Sequence, residues 1–282
     1  MRYGLALFMT AYSIDMKTLA QRAEALGYES LWAPDHPVIP VAFTTPYPWN
    51  ESRTLPEYYK HLVDPFVALA TAAGATQRLK LGTSVVLVPE RNPILTAIEV
   101  ATLDAVSGGR FLFGIGAGWL REEGDVFGVD WKRRWKQTRD FIMAMRACWE
   151  QDVSEYQGDY VTMPPLYAYP KPVQQPHPPI LIAGELKGAL ARIAEYGDGW
   201  VPRANLVTPR EIEETRQALE RRFREAGRDP SRIDITLYGS RPRKADCQSW
   251  IDAGVDRIVI QLPVRDEAES LDRIARYAAE LF

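Results

Sequence analysis

At 282 residues the chain exceeds a typical small domain, yet α/β barrels run to about 250 residues as one unit. Hydrophobic residues are 46% and charged residues 25%, which excludes disorder, collagen and coiled coil. A net charge of −3, from 34 basic and 37 acidic residues, supplies no field for a polyphosphate backbone and argues against nucleic acid.

In chain order, residues 3–9 read as a strand. Their apolar run is too short for a signal peptide, and no stretch reaches the roughly 18 apolar residues of a membrane span. A soluble cytoplasmic protein is therefore expected. Met16, Leu19, Ala20, Ala23 and Leu26 recur at helical spacing, and Gly27 follows as a C-cap. Residues 30–34 read as a strand, 64–76 as a helix, 79–87 as a strand and 94–106 as a buried helix. Gly108-Gly109 turns into a strand at 110–115, and a long amphipathic helix covers 131–150. The alternation then repeats, with strands at 180–183, 199–202, 233–238 and 257–262. Helices at 188–196, 209–226, 245–253 and 267–281 follow them.

Eight strands thus alternate with eight helices. Right-handed β-α-β units in that number close into a single (β/α)8 TIM barrel, with residues 1–282 as one domain. A doubly wound sheet would favour a GxGxxG turn after the first strand, and none is present. Three connections are too long for plain turns: 36–63, rich in proline and aromatic residues, 116–131, and 152–179, which holds seven prolines. The first and last are expected to be lid or substrate loops.

Cys148 and Cys247 stand far apart, which excludes a disulfide framework. The histidines, His36, His61 and His177, show no HxxxH spacing, so no metal site is expected. His36 follows Asp35 at a predicted strand end. Histidine exchanges protons near neutral pH and an adjacent carboxylate can tune it, although Asp35 could equally cap a turn. Gly114-Ile115-Gly116-Ala117-Gly118-Trp119 leads from a strand into charged Arg121-Glu122-Glu123. Glycines there would let backbone amides approach a phosphate, or simply form a tight turn. Ala183-Gly184-Glu185 makes a similar strand-to-helix step. In Leu81-Gly82-Thr83-Ser84-Val85 a small polar pair interrupts an apolar strand, where a flat ligand can lie close to backbone.

Together these segments resemble the luciferase-like monooxygenase superfamily, especially its F420-dependent oxidoreductase branch. The resemblance is carried by residues 27–36, 81–85 and 103–110, by 114–119, and by Gly197-Asp198-Gly199-Trp200-Val201-Pro202. It implies a (β/α)8 barrel with an isoalloxazine-type ring in its C-terminal mouth. It also implies Asp35 and His36 beside the ring, and a cis peptide bond at Ser84–Val85. Thr83, Ser84 and Val85 would back the ring. Gly116, Ala117, Gly118 and Trp119 would line its ribityl-phosphate side, with Gly184 and Glu185 nearby. Relatives that oxidise a sugar phosphate carry glutamate where this chain has Trp119, so that chemistry is not expected.

The implied function is hydride transfer between F420 and a small, fairly apolar substrate. His36 would move the proton, and Asp35 would orient the imidazole or bond the ring. One alternative is a two-component monooxygenase using FMN reduced by a partner reductase. Another is a non-enzymatic flavin-binding barrel. F420 differs from FMN in its acidic glutamyl tail, for which Arg91, Arg121 and Arg203 are candidates. Relatives are often dimers, so a homodimer is expected.

Overall fold

The computed structural model describes residues 2–184 and 186–282, with Lys187 described by its backbone alone. Eight parallel staves form a closed barrel. In chain order they are β1 (Arg2–Ala6), β2 (Ser30–Ala33), a broken third stave of β3 (Lys80–Thr83) and β4 (Val86–Leu87), and β5 (Phe111–Gly116). After the two strands β6 (Ser154–Gln157) and β7 (Thr162–Leu166) come β8 (Ile180–Ala183), β9 (Gly199–Val201), β10 (Asp234–Tyr238) and β11 (Arg257–Gln261). β1 pairs with both β2 and β11, and the β3–β5 pairing joins the third stave to the fourth.

The helices return the chain between staves and form the outer ring. They are α1 (Met16–Ala25), α2 (Pro65–Ala75), α3 (Pro93–Ser107), α4 (Arg121–Val126) and α5 (Arg134–Glu150). α6 (Leu186–Tyr196), α7 (Pro209–Glu225), α8 (Lys244–Asp252) and α9 (Glu267–Leu281) complete it. Their starts follow local rules. Asn92 accepts from the Ile94 and Leu95 amides ahead of Pro93, and Thr208 and Glu211 form a capping box at α7. α4, six residues long, is too short to show a helical period and does not arise from the sequence pattern.

The barrel interior sets which end is open. At its base Arg257 is fully buried, with its guanidinium 2.7 Å and 3.0 Å from the Glu29 carboxylate and 3.0 Å from that of Asp234. Above it Trp32 lies across the bore, its indole N–H donating to Ser30 Oγ at 2.8 Å. A Cβ on Gly4 would collide with Ser30 and crowd the indole, and one on Gly82 would collide with the ring itself, so these two glycines give Trp32 its room. The base is filled, and barrels of this kind hold their ligands at the opposite, C-terminal end of the staves.

Two segments differ from expectation. Residues 79–87 do not form one strand: Gly82 faces Leu112 and Val86 faces Ile115. Four steps on the third stave thus face three on β5, and one extra residue bulges out between them. The Ser84–Val85 peptide bond lies in this bulge and is cis. Residues 152–179 are also not an irregular loop, because β6 and β7 pair there as an antiparallel hairpin. The hairpin follows α5, and its turn returns to Asp140, whose carboxylate accepts from the Tyr160 and Val161 amides at 2.7 Å and 3.0 Å. It therefore lies on the outer ring against α5. Pro164 and Pro165 in β7 remove ladder donors, which suits a strand of a two-stranded ribbon and hides the alternation in the sequence.

Candidate active site

β2 ends at Ala33, and the chain steps out over the mouth with Asp35 and His36. Asp35 does not touch the imidazole. Its carboxylate takes a bidentate pair from Arg91, Nε to Oδ2 and Nη2 to Oδ1 at 2.8 Å each, and the Leu87 amide at 3.1 Å. Arg91 also reaches Asp64, the N-cap of α2, at 2.8 Å. Asp35 is thus a buried anchor that ties the end of β2 to β4 and α2. Adjacency in sequence pointed to the wrong carboxylate, and Arg91 is occupied rather than available for an acidic tail.

The carboxylate beside His36 is Glu123, from α4. His36 Nδ1 lies 2.7 Å from Glu123 Oε2, and the other ring nitrogen, Nε2, accepts the Trp119 indole N–H at 3.2 Å. Indole is a donor only, so Nε2 must be unprotonated. That assigns a neutral ring whose proton sits on Nδ1 and points at Glu123. Glu123 is fully buried, and desolvation pushes its pKa up despite the opposing bond from His36. A group that holds its charge reluctantly binds a proton donor tightly.

The residue before it completes the local device. Glu122 accepts from the Thr44 amide and hydroxyl at 2.6 Å and 2.9 Å and from the Thr45 amide at 3.1 Å. Desolvation opposes these bonds, yet together they hold Glu122 down to about 2. Two successive carboxylates at the start of α4 therefore grip the lid and the histidine. The first helical turn, with its free amides, suits negative charge there.

The 36–63 loop covers the mouth, with a 3-10 turn at Glu57–His61. Tyr47 and Tyr59 are buried in it, with their hydroxyls 3.1 Å apart. The His36 ring packs edge-on against Tyr59 at 5.1 Å and Trp119 at 5.8 Å, and Tyr47 packs on Trp119 at 5.5 Å. Phe8, just beyond β1, packs edge-on against Tyr58 and at a tilt against Tyr59. Trp119 is thus a wall of the mouth beside His36.

The bulge residues divide. Thr83 Oγ1 donates to the Gly114 carbonyl at 2.7 Å and is structural. Val85 fills space left by two glycines: its Cγ2 lies 2.7 Å from where a Gly116 Cβ would stand, and its Cγ1 lies 3.6 Å from that of Gly114. Ser84 Oγ is buried without a hydrogen-bond partner, as are Tyr238 Oη and Arg203 Nε at the ends of β10 and β9. Arg203 stacks on Trp49 of the lid at 4.3 Å and on Tyr238 at 5.3 Å. A carbonyl-rich ring needs hydroxyl donors of this kind, so Ser84 and Tyr238 fit a flavin or deazaflavin ring.

The phosphate expectation for Gly116, Ala117, Gly118 and Trp119 meets the wrong surroundings. Gly116 faces Val85, Ala117 is buried, and a Cβ on Gly118 (φ +80°) would sit 2.9 Å from Glu90 Oε1. Glu90 is 4% exposed with neither oxygen hydrogen-bonded, and desolvation, Glu123 and Asp35 together push its pKa up to about 9. The Glu122 and Glu123 carboxylates at the start of α4 disfavour a further anion here. A cationic setting lies instead beside exposed Gly184 (φ +119°), which approaches Trp135 at 3.5 Å from its Cβ position. The Arg192 guanidinium lies 3.8 Å over Trp135, and Arg134 lies 4.4 Å over Trp131. Burial holds both guanidinium pKa values down, and Arg134 adds repulsion to Arg192. Glu185 lies outside the described residues. Among the described residues no group of three His, Cys, Asp or Glu side chains forms a metal site, and no helix is long and apolar enough to cross a membrane.

Sequence singles out Tyr47 and Tyr59 as aromatic residues of the 36–63 loop, but not Glu123, Glu90, Tyr238, Arg134 or Arg192. Glu122-Glu123 just after a glycine-rich strand end was the available signal for Glu123.

Comparison with known proteins agrees with this fold. An uncharacterised protein of Mycobacterium tuberculosis is 35% identical over 286 aligned positions, covering 100% of this chain and 99% of its own length. A monooxygenase of Streptomyces bottropensis shares the fold with a TM-score of 0.79 at 20% identity, over 100% of this chain and 98% of that one. An F420-dependent secondary alcohol dehydrogenase does so with 0.74 at 19%, over 100% and 99%. The family model described as luciferase-like monooxygenase matches residues 11–247, and the chain belongs to that family of oxidoreductases and monooxygenases.

Proposed function

We propose that this chain transfers a hydride between coenzyme F420 and a small organic substrate. The observation that carries the reading is the Trp119–His36–Glu123 chain at the open end of the barrel. It holds a neutral imidazole with its basic Nε2 among the aromatic walls. F420, when bound, supplies the carbon that gives or takes the hydride. Nε2 accepts the hydroxyl proton of a substrate as that substrate is oxidised, and returns it in the reverse direction. Glu123 supports the imidazolium so formed, because its carboxylate already faces Nδ1. Trp119 must give up its bond to Nε2 as this happens.

The remaining residues would bind and shield. Ser84 Oγ and Tyr238 Oη would donate to ring carbonyls, and Arg134 and Arg192 beside Gly184 would hold the phosphate. Lys132, Arg133 and Lys136 are exposed around Arg134 and favour a cofactor with an acidic tail. Tyr47 and Tyr59 close over the mouth and keep water out.

The test is a side-by-side titration of the purified protein with F420 and FMN, oxidised and reduced. Tighter binding of F420, weakening with added salt, is expected. Tight binding of FMN with none of F420 would replace this reading with the oxygenase one.

A further inference from the structure

Three arginines stand near the mouth in sequence, and the structure separates them. Arg91 is committed to Asp35 and Asp64, and Arg121 lies 3.6 Å from Asp125 on the exposed side of α4. Arg203 differs. Its Nε is buried and has no hydrogen-bond partner among the described residues. The groups that face it are aromatic: Trp49 and Tyr238 stack on the guanidinium, and Tyr47 and Tyr58 lie within electrostatic reach.

The Arg203 side chain is half-buried, held flat between two rings, and no carboxylate among the described residues bonds its guanidinium. We propose that Arg203 recognises a carboxylate carried by the substrate, an inference that rests on the oxidoreductase reading above. The planar fork of a guanidinium matches a carboxylate through two parallel N–H bonds. The rest of the mouth matches the rest of such a molecule. Phe8, Tyr47 and Trp119 offer apolar walls for its body. Tyr59 packs on Tyr47 at 5.4 Å and on His36 at 5.1 Å, so one aromatic cluster runs from the arginine side to the histidine. The substrate class is therefore a small alcohol or carbonyl compound with an apolar body and one carboxylate. Its charged end lies at Arg203 and its reacting carbon lies toward His36.

The experiment titrates benzoate and its neutral counterpart benzamide into the wild type, Arg203→Met and Arg203→Lys, by calorimetry and by tryptophan fluorescence, since Trp49 lies under the guanidinium. F420 is titrated into the same three proteins. Benzoate is expected to bind the wild type, and to bind it better than benzamide does. Arg203→Met is expected to weaken benzoate by about ten- to a hundredfold. Arg203→Lys, which keeps the charge and loses the fork, falls between and serves if the methionine variant melts early. F420 affinity stays unchanged. Benzoate binding no better than benzamide, or equally well to Arg203→Met, would overturn the proposal. So would a loss of F420 affinity in step with benzoate, which would give Arg203 to the cofactor. Failure of the F420 reading looks different: the wild type binds benzoate through Arg203 but takes up no F420.

Discussion

The His36 imidazole and the Glu123 carboxylate meet at 2.7 Å across 87 positions of sequence, one from the end of β2 and the other from α4. The pair decides which histidine nitrogen is basic. It also explains why the short helix α4 sits where it does, because one side of it grips the lid and the other the imidazole. The predictions below follow from that relationship and from the packing behind it.

Removing the ring removes the base. His36→Ala is expected to lower turnover by about 10²–10⁴-fold with F420 affinity nearly unchanged. Glu123→Gln keeps the shape of the partner but not its charge, and should lower turnover by less. Steady-state kinetics beside cofactor titration separates the two effects. Equal turnover in His36→Ala and wild type would remove the histidine from the mechanism.

Glu90 makes stability depend on pH in an unusual direction. Its folded pKa, about 9, lies above the ordinary 4.5, so the folded state holds a proton that the unfolded state has lost. Stability is therefore highest below about 4.5 for this group and falls as pH rises toward 9. Glu90→Gln should raise the melting temperature at pH 8 by about 2–4 °C for each kcal/mol recovered, and flatten its decline with pH. A lower melting temperature for the variant at pH 8 would contradict the assignment.

Glu122 behaves oppositely and locally. Its folded pKa, about 2, is depressed, so its grip on Thr44 and Thr45 is full above about 4.5 and is lost as pH falls toward 2. The group is partly exposed, so the effect is confined to the lid. Glu122→Ala should speed tryptic cleavage at Arg53 or Lys60 at neutral pH, with the barrel's melting temperature nearly unchanged. Equal cleavage rates in variant and wild type would show that the lid is held by its aromatic residues alone.

Gly114 faces the bulge so closely that a Cβ would collide with the Thr83 carbonyl. Backbone cannot rotate aside as a side chain can, so Gly114→Ala should cost about 1–3 kcal/mol or more. Thermal denaturation measures it. A melting temperature equal to wild type would mean that the bulge relaxes freely.

The barrel was legible because alternating strands and helices repeat along the whole chain, and helix ends carry their own signals in Asn92, Thr208 and Gly108. His36 was legible as a rare residue at a strand end. Its partner was not, because Glu123 comes from a distant helix too short to show a period, and Asp35 next door offered a simpler choice. The structure gives Asp35 to Arg91 instead. The glycines of 114–118 were read for a phosphate, while in the fold Gly114 and Gly116 serve the close approach of Val85 and the bulge. That role depends on a register shift between staves, which no local pattern announces. Pro164 and Pro165 concealed the outer hairpin for the same kind of reason, since what they remove is a periodic signal and not the pairing itself.

The central claim is that Glu123 fixes the proton of a neutral His36 on Nδ1, leaving Nε2 as the base. Long-range 15N–1H correlation of the imidazoles at pH 7.5, assigned by His36→Ala, tests it directly because the chain has only three histidines. The account predicts the Nδ1–H tautomer for His36 in the wild type and its loss in Glu123→Ala. An Nε2–H tautomer, or an imidazolium, in the wild type would contradict it.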